Sequence, residues 1–261
     1  MKNFPNKFHT FLSILLAVTL ISCTAKNENS TPPSEPQEEM KQEVIRKDTL
    51  GLTVLYPLFD SVDLVCGEMP GKEDKRVILV AEAAYTGELL KEFRHSNIAG
   101  DHVSGGKLYK GYPCDWNTGA FISYGKKWEF CPRDYAKKLD EAAQNGGAAF
   151  GQELLIYEGK RLETMRKDGD ENQYRALCNE DGKLCMVESE GVLSLGEFKD
   201  ALLKLGVSEA IYLDMGRGWN HAWYRDRGKV VELHPLAHDY CTNWITFYTI
   251  SPTGKSQWEK P

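Results

Sequence analysis

The stretch GVLSLGEFKDALLKLGVSEAIYLDMGRGWN, residues 191–220, reads as a helix, a buried strand and a glycine-rich turn in immediate succession. Ser194 with Glu197 three residues later forms a capping box. Phe198, Leu202 and Leu205 recur at helical spacing and Gly206 suits a left-handed exit, so the spacing predicts a helix over 195–205. Ala210-Ile211-Tyr212-Leu213 is apolar on both faces, as a strand in the middle of a sheet must be. Asp214 then sits at the strand end, followed by Gly216 and Gly218, where backbone can approach a ligand closely. Such glycines leave amide donors to face an anion or sugar oxygens. The competing reading is a tight turn in which Asp214 bonds its own loop.

Outward from this stretch, Val77–Val80 and Leu154–Tyr157 read as short buried strands, the second ended by Glu158-Gly159. Residues 175–188 form a hairpin about Asp181-Gly182, which sets Cys178 opposite Cys185. A second hairpin covers 223–233, turning at Asp226-Arg227-Gly228, and Trp244–Ile250 is a last strand. A helix is expected over 133–145, with Tyr135, Leu139, Ala142 and Ala143 on one face and Gly146 at its end. Neither an internal repeat nor a second linker is visible. The expected class is α+β, a single domain with a mixed, largely antiparallel β-sheet core and a few packed helices.

The chain has 261 residues, 41% hydrophobic and 27% charged, which excludes a disordered or fibrous chain. Its net charge of -6 argues against a partner held by phosphate neutralisation, so no nucleic-acid partner is expected. After the amino terminus no long apolar run remains, which excludes several membrane spans. Lys2 and Lys7 precede the apolar stretch Phe11–Ile21, and Leu20-Ile21-Ser22-Cys23 resembles a bacterial lipobox. Residues 1–22 are therefore expected to be a lipoprotein signal peptide and Cys23 the lipidated residue. Residues 23–48, with Pro32, Pro33 and Pro36 among Ser, Thr, Asn, Glu and Gln, form the expected tether, and 49–261 the folded domain. This places the protein in the cell envelope, lipid-anchored outside the cytoplasm. Six further cysteines follow without a Cys-x-x-Cys pair, and whether Cys178 and Cys185 are bonded or free stays open. His234 and His238 have the spacing of a one-turn pair beside Asp239, but Pro235 disrupts that helix. No metal is assigned. Phosphate-loop and dinucleotide signatures are absent, and no cofactor is expected.

Four segments in order resemble the phosphodiester glycosidase family, relatives of the lysosomal uncovering enzyme. Residues 191–218 resemble its helix, strand and Asp-Gly-Gly-Gly-Ser signature. Ala81-Glu82-Ala83-Ala84-Tyr85-Thr86 is similar to its early Asn-Ala/Gly-Gly-Phe-Phe segment, and residues 151–160 to its Leu-Leu strand followed by Asp-Gly. Tyr174–Cys178 with Asp181-Gly182-Lys183 is similar to its Arg-Thr-Ala hairpin. The match covers about residues 77–230 and departs from the family at Glu82, Met215, Arg217 and Trp219-Asn220. It implies hydrolysis of a sugar-1-phosphodiester in a glycan or glycoconjugate, with a carbohydrate or sugar phosphate as substrate. An oxocarbenium-like transition state profits from a nearby carboxylate, supplied by Glu82 or Asp214, and the departing phosphate from a cation. Arg175, at the matching hairpin position, is the expected phosphate contact, since its planar fork takes two oxygens. Asp101 and His102, in a loop between glycines, are expected to move or orient protons. Asn97, Gln152, Gly216, Arg217, Gly218 and Asn220 complete the expected substrate-binding set. Trp219, Trp223 and Tyr224 suit sugar stacking, with core packing the alternative for at least one tryptophan. Two rival readings are a non-catalytic binder of anionic sugars on the same scaffold and a structural lipoprotein lacking a concave cluster.

Overall fold

The computed structural model describes residues 41–87, 93–216, 220–234 and 242–250. The chain divides into units Met1–Glu39 and Met40–Pro261, and all described residues fall in the second. In chain order the first elements are β1 (Val44–Thr49), β2 (Leu52–Pro57), β3 (Ser61–Cys66), β4 (Val77–Glu82), β5 (His102–Ser104), β6 (Lys107–Tyr109), β7 (Gly119–Tyr124) and β8 (Lys127–Pro132). Then come α1 (Ala136–Gln144), β9 (Ala148–Gln152), β10 (Leu154–Tyr157), β11 (Lys160–Arg161), β12 (Glu171–Asn172), β13 (Arg175–Glu180) and β14 (Lys183–Ser189). The last are β15 (Leu193–Ser194), α2 (Leu195–Leu205), β16 (Val207–Leu213), β17 (Ala222–Asp226), β18 (Lys229–His234) and β19 (Asn243–Tyr248).

Three large sheets run β1-β2-β14-β13-β16-β10-β11, β18-β17-β4-β19-β3 and β6-β5-β9-β7-β8, with a small β12-β15 ladder beside them. Every strand pair is antiparallel. Strand accounts for 50% of the described residues and helix for 12%, in two α-helices and one 3-10 turn. The expectation of an α+β fold is therefore corrected: the domain is nearly all β. Strands as short as β5, β6, β11, β12 and β15 are too brief to show a period of two, so strand content was underestimated. The domain also gains β1 from the stretch expected to be tether. Its exposed Ile45, Arg46, Lys47 and Asp48 suit an edge strand, and only β2 pairs with it.

The seven-stranded sheet explains the core. Leu55, Met186, Leu177, Ile211 and Leu154 line up across five strands and face the other two sheets, among Phe121, Phe150 and Phe247. On its other face Val187, Ala176 and Tyr212 form the next row, against Phe198 and Leu202 of α2. Helix α2 spans the expected residues, with the capping box at Ser194 and Glu197 and a left-handed Gly206 (φ 94°). Each fully buried Leu or Phe contributes about 1.5–3 kcal/mol, against about 1 kcal/mol for a cap. Packing on the sheet, more than local propensity, thus holds α2. The hairpin of β13 and β14 turns at Asp181 (φ 52°) and Gly182 (φ 75°), both left-handed as a two-residue turn requires. Cys178 and Cys185 face each other there as buried free thiols. Helix α1 starts three residues later than expected because Asp134 takes φ 73°, outside helical space.

Candidate active site

Asp214 follows the last residue of β16, where two sheets meet. Its backbone N–H donates to the Ala83 carbonyl at 3.0 Å, fastening the end of β16 to the end of β4. Its carboxylate accepts the Gly216 backbone N–H at 3.1 Å, and the Thr86 amide lies close enough to favour its charged form. The Tyr212 hydroxyl accepts the Met215 N–H at 3.0 Å and fixes the turn. Asp214 is 7% exposed, and burial pushes its pKa up to about 6. The two amides and the Arg166 and Arg175 charges oppose that rise. A carboxyl group that titrates near neutrality at a strand end is suited to proton transfer.

Thr86 belongs to the wall of an open cleft of about 530 Å3, lined also by Tyr85, Tyr112, Cys114, Trp116 and Arg166. The Arg166 guanidinium lies 4.5 Å from the Tyr212 ring centre, 5.4 Å from that of Tyr85 and 5.9 Å from that of Trp116. Its Nε donates to the Tyr85 hydroxyl at 3.1 Å, and that hydroxyl donates to Glu153 Oε1 at 3.3 Å. Glu153 is wholly buried, 3.9 Å from Arg166, and burial raises its pKa against the pull of that guanidinium. The Arg166 side chain keeps 21% exposure, enough to meet a ligand while its aromatic neighbours hold it. Neither Arg166 nor Glu153 belonged to the expected set. Glu153 stands directly before an apolar strand, a weak sign of a buried acid, whereas Arg166 lies in a polar stretch that only the fold brings to the cleft.

The expected residues do not all come together. Glu82 and Arg175 lie against the described residues 214–216 and 220–221. Glu82, buried at the end of β4, accepts the His221 N–H at 3.2 Å. Arg175 is 0% exposed; its Nε and Nη2 donate to Glu188 at 2.9 and 2.8 Å, and Nη2 also to the Asn220 carbonyl at 2.9 Å. Burial favours the neutral form of Glu188, but Arg175 and a hydrogen bond with His234 hold its pKa below the ordinary value. Arg175 thus gives Nε and Nη2 to protein groups and lies out of solvent, while its buried Nη1 has no hydrogen-bond partner among the described residues. Arg217, Gly218 and Trp219 lie outside the described residues, as do Cys23, His238 and Asp239. Gln152 is buried beside Glu153; its Oε1 accepts the Glu153 N–H at 2.9 Å, and its Nε2 has no hydrogen-bond partner among the described residues. Asn97 is buried in the 3-10 turn His95–Asn97, and its carbonyl accepts the Gly87 N–H at 2.8 Å beside the cleft.

Asp101 and His102 are engaged apart from this group and from each other. Asp101 pairs with Lys110 at the surface. His102 is buried, with Nδ1 3.2 Å from the Gly100 carbonyl and Nε2 3.0 Å from His95 Nδ1, and burial lowers its pKa to about 4. Neighbouring side chains on extended backbone point to opposite faces, which is why the two diverge. Trp223 is fully buried in a core cluster with Trp244, Val77 and Val80.

The antiparallel sheet arrangement can be compared with known structures. The chain is similar to the catalytic domain of zebrafish N-acetylglucosamine-1-phosphodiester alpha-N-acetylglucosaminidase, solved auto-inhibited by its pro-peptide. The TM-score is 0.56 at 14% identity, over 83% of this chain and 86% of that one. At that identity the likeness is one of fold. A hypothetical protein from Synechocystis aligns with TM-score 0.49 and 12% identity, over 79% of this chain and 61% of that one. No family model and no curated protein matches the sequence.

Proposed function

We propose that the protein is a hydrolase of the phosphodiester glycosidase type, cleaving the bond between a sugar and phosphate in a sugar-1-phosphodiester. The observation that carries this reading is the Asp214 carboxyl, with a pKa near 6, beside a cleft that also holds the ring-flanked Arg166. The shared fold of a phosphodiester alpha-N-acetylglucosaminidase domain supports it. Arg166 takes the contact with the phosphate oxygens; Arg175, enclosed by Glu188 and Asn220, instead positions the 214–221 segment. In the reaction water adds to the anomeric carbon as its bond to the phosphate oxygen breaks. The bonding pair leaves with the phosphate monoester, and ionised Asp214 accepts the proton that water loses. Developing charge on the phosphate is met by Arg166, and the aromatic walls suit a sugar ring. The protein acts outside the cytoplasm, anchored through Cys23. That part of the proposal rests on residues 1–23; among the described residues no helix is long and apolar enough to cross a membrane.

The test is to incubate the purified full chain with chromogenic sugar-1-phosphodiesters and with the matching plain glycosides. Release of sugar from the first group alone is the expected result. Binding of sugar phosphates without turnover across the panel would overturn the enzyme and favour a non-catalytic binder.

A further inference from the structure

Outside the cleft, three side chains from separate elements turn toward one point. Cys66 ends β3, His95 opens the 3-10 turn and His102 opens β5. One donor atom from each lies within 4.8 Å of the other two, and His95 Nδ1 is 3.0 Å from His102 Nε2. We propose that Cys66, His95 and His102 bind one zinc ion, with a fourth position left to water.

The tautomers favour this. A carbonyl oxygen can only accept, so His102 Nδ1, 3.2 Å from the Gly100 carbonyl, carries the proton. Its Nε2 therefore offers a lone pair toward His95 and Cys66. A backbone carbonyl holding the far nitrogen of an imidazole is the usual support of a metal-binding histidine. His95 is stacked on Tyr109 at 3.4 Å and 10°, and meets Phe93 edge-on at 5.1 Å, so its ring plane is fixed. Without a metal its Nδ1–H donates to His102; with one, the proton moves to the half-buried Nε2 and Nδ1 becomes a ligand. Two nitrogens on a tetrahedral zinc, each about 2.0–2.1 Å from the ion, sit roughly 3.3 Å apart. The rings need to part by only a few tenths of an ångström from the observed 3.0 Å. One thiolate with two imidazoles selects zinc over the oxygen-seeking calcium and magnesium.

Occupancy has a structural consequence. The turn that carries His95 joins the cleft edge through the Thr86–Ile98 bridge and the Ala99 N–H bond to the Tyr85 carbonyl at 2.9 Å. Zinc would tie that edge to β3 and β5.

The experiment is a cobalt titration of the metal-stripped full chain, followed by displacement with zinc. One equivalent should raise a thiolate-to-cobalt charge-transfer band and the strong visible bands of a four-coordinate site. Cys66→Ser should abolish the first, His95→Ala should weaken affinity roughly tenfold or more, and Cys114→Ser should change neither. Near-UV circular dichroism checks each fold, and His95→Ala, on a surface turn, carries the test alone if Cys66→Ser does not fold. A folded wild-type chain without the charge-transfer band, or His95→Ala with unchanged affinity, overturns the proposal.

Discussion

Asp214 is buried close to the cleft. Its raised pKa means that the folded chain binds a proton more tightly than the unfolded one between pH 3.8 and about 6. Stability from this group is therefore present at low pH and declines as pH rises through that window. Above it, the buried charge costs on the order of 2–3 kcal/mol. Asp214→Asn should abolish turnover yet raise stability by up to about that amount at pH 7, with the gain vanishing near pH 4. Urea melts at the two pH values check this. The proposed phosphate contact makes another demand on Arg166, whose guanidinium lies near three aromatic rings. Arg166→Lys keeps the charge and loses the fork, so KM for a phosphodiester should rise about tenfold with little change for neutral sugars. Asp214 was legible as a candidate because a carboxylate at the end of an apolar strand, followed by glycine, is a local pattern. Arg166 carries no such pattern, since its partners Tyr85, Glu153 and Tyr212 lie far from it in sequence.

Among the elements, those read well from sequence contain their own instructions. Helix α2 has its cap, apolar face and exit glycine within thirteen residues, and the β13–β14 hairpin has its register set by a two-residue turn. Ser194→Ala should lower stability by about 1 kcal/mol, seen as a reduced melting temperature without loss of the fold. Strands β5 and β6 have three residues each, and β11, β12 and β15 two; their pairing depends on neighbours supplied by the rest of the chain. That dependence is why an α+β domain was expected where sheets prevail. Arg175 shows the same limit. Its position in β13 was readable, but not that Glu188 directly opposite would engage it. Arg175→Met should cost about 3–5 kcal/mol by leaving the buried Glu188 Oε2 without its guanidinium partner, and Arg175→Met with Glu188→Met much less. A double-mutant cycle in urea measures the difference.

At the scale of the whole molecule, the proposed site lies where the seven-stranded sheet meets the five-stranded sheet containing β4. The Asp214–Ala83 bond joins them there, Glu82 accepts the His221 N–H, Arg175 donates to the Asn220 carbonyl, and the cleft opens alongside. A loop secured by buried charges can present an acid to solvent without wandering, at the cost of burying groups that need exact partners. The decisive measurement is the pH dependence of kcat/KM for a hydrolysed sugar-1-phosphodiester, in the wild-type chain and in Asp214→Asn. A rise through about pH 6 in the first and no turnover in the second is the expected result. Equal turnover by folded Asp214→Asn, or a profile flat through that range, would contradict the assignment of Asp214 as the proton acceptor.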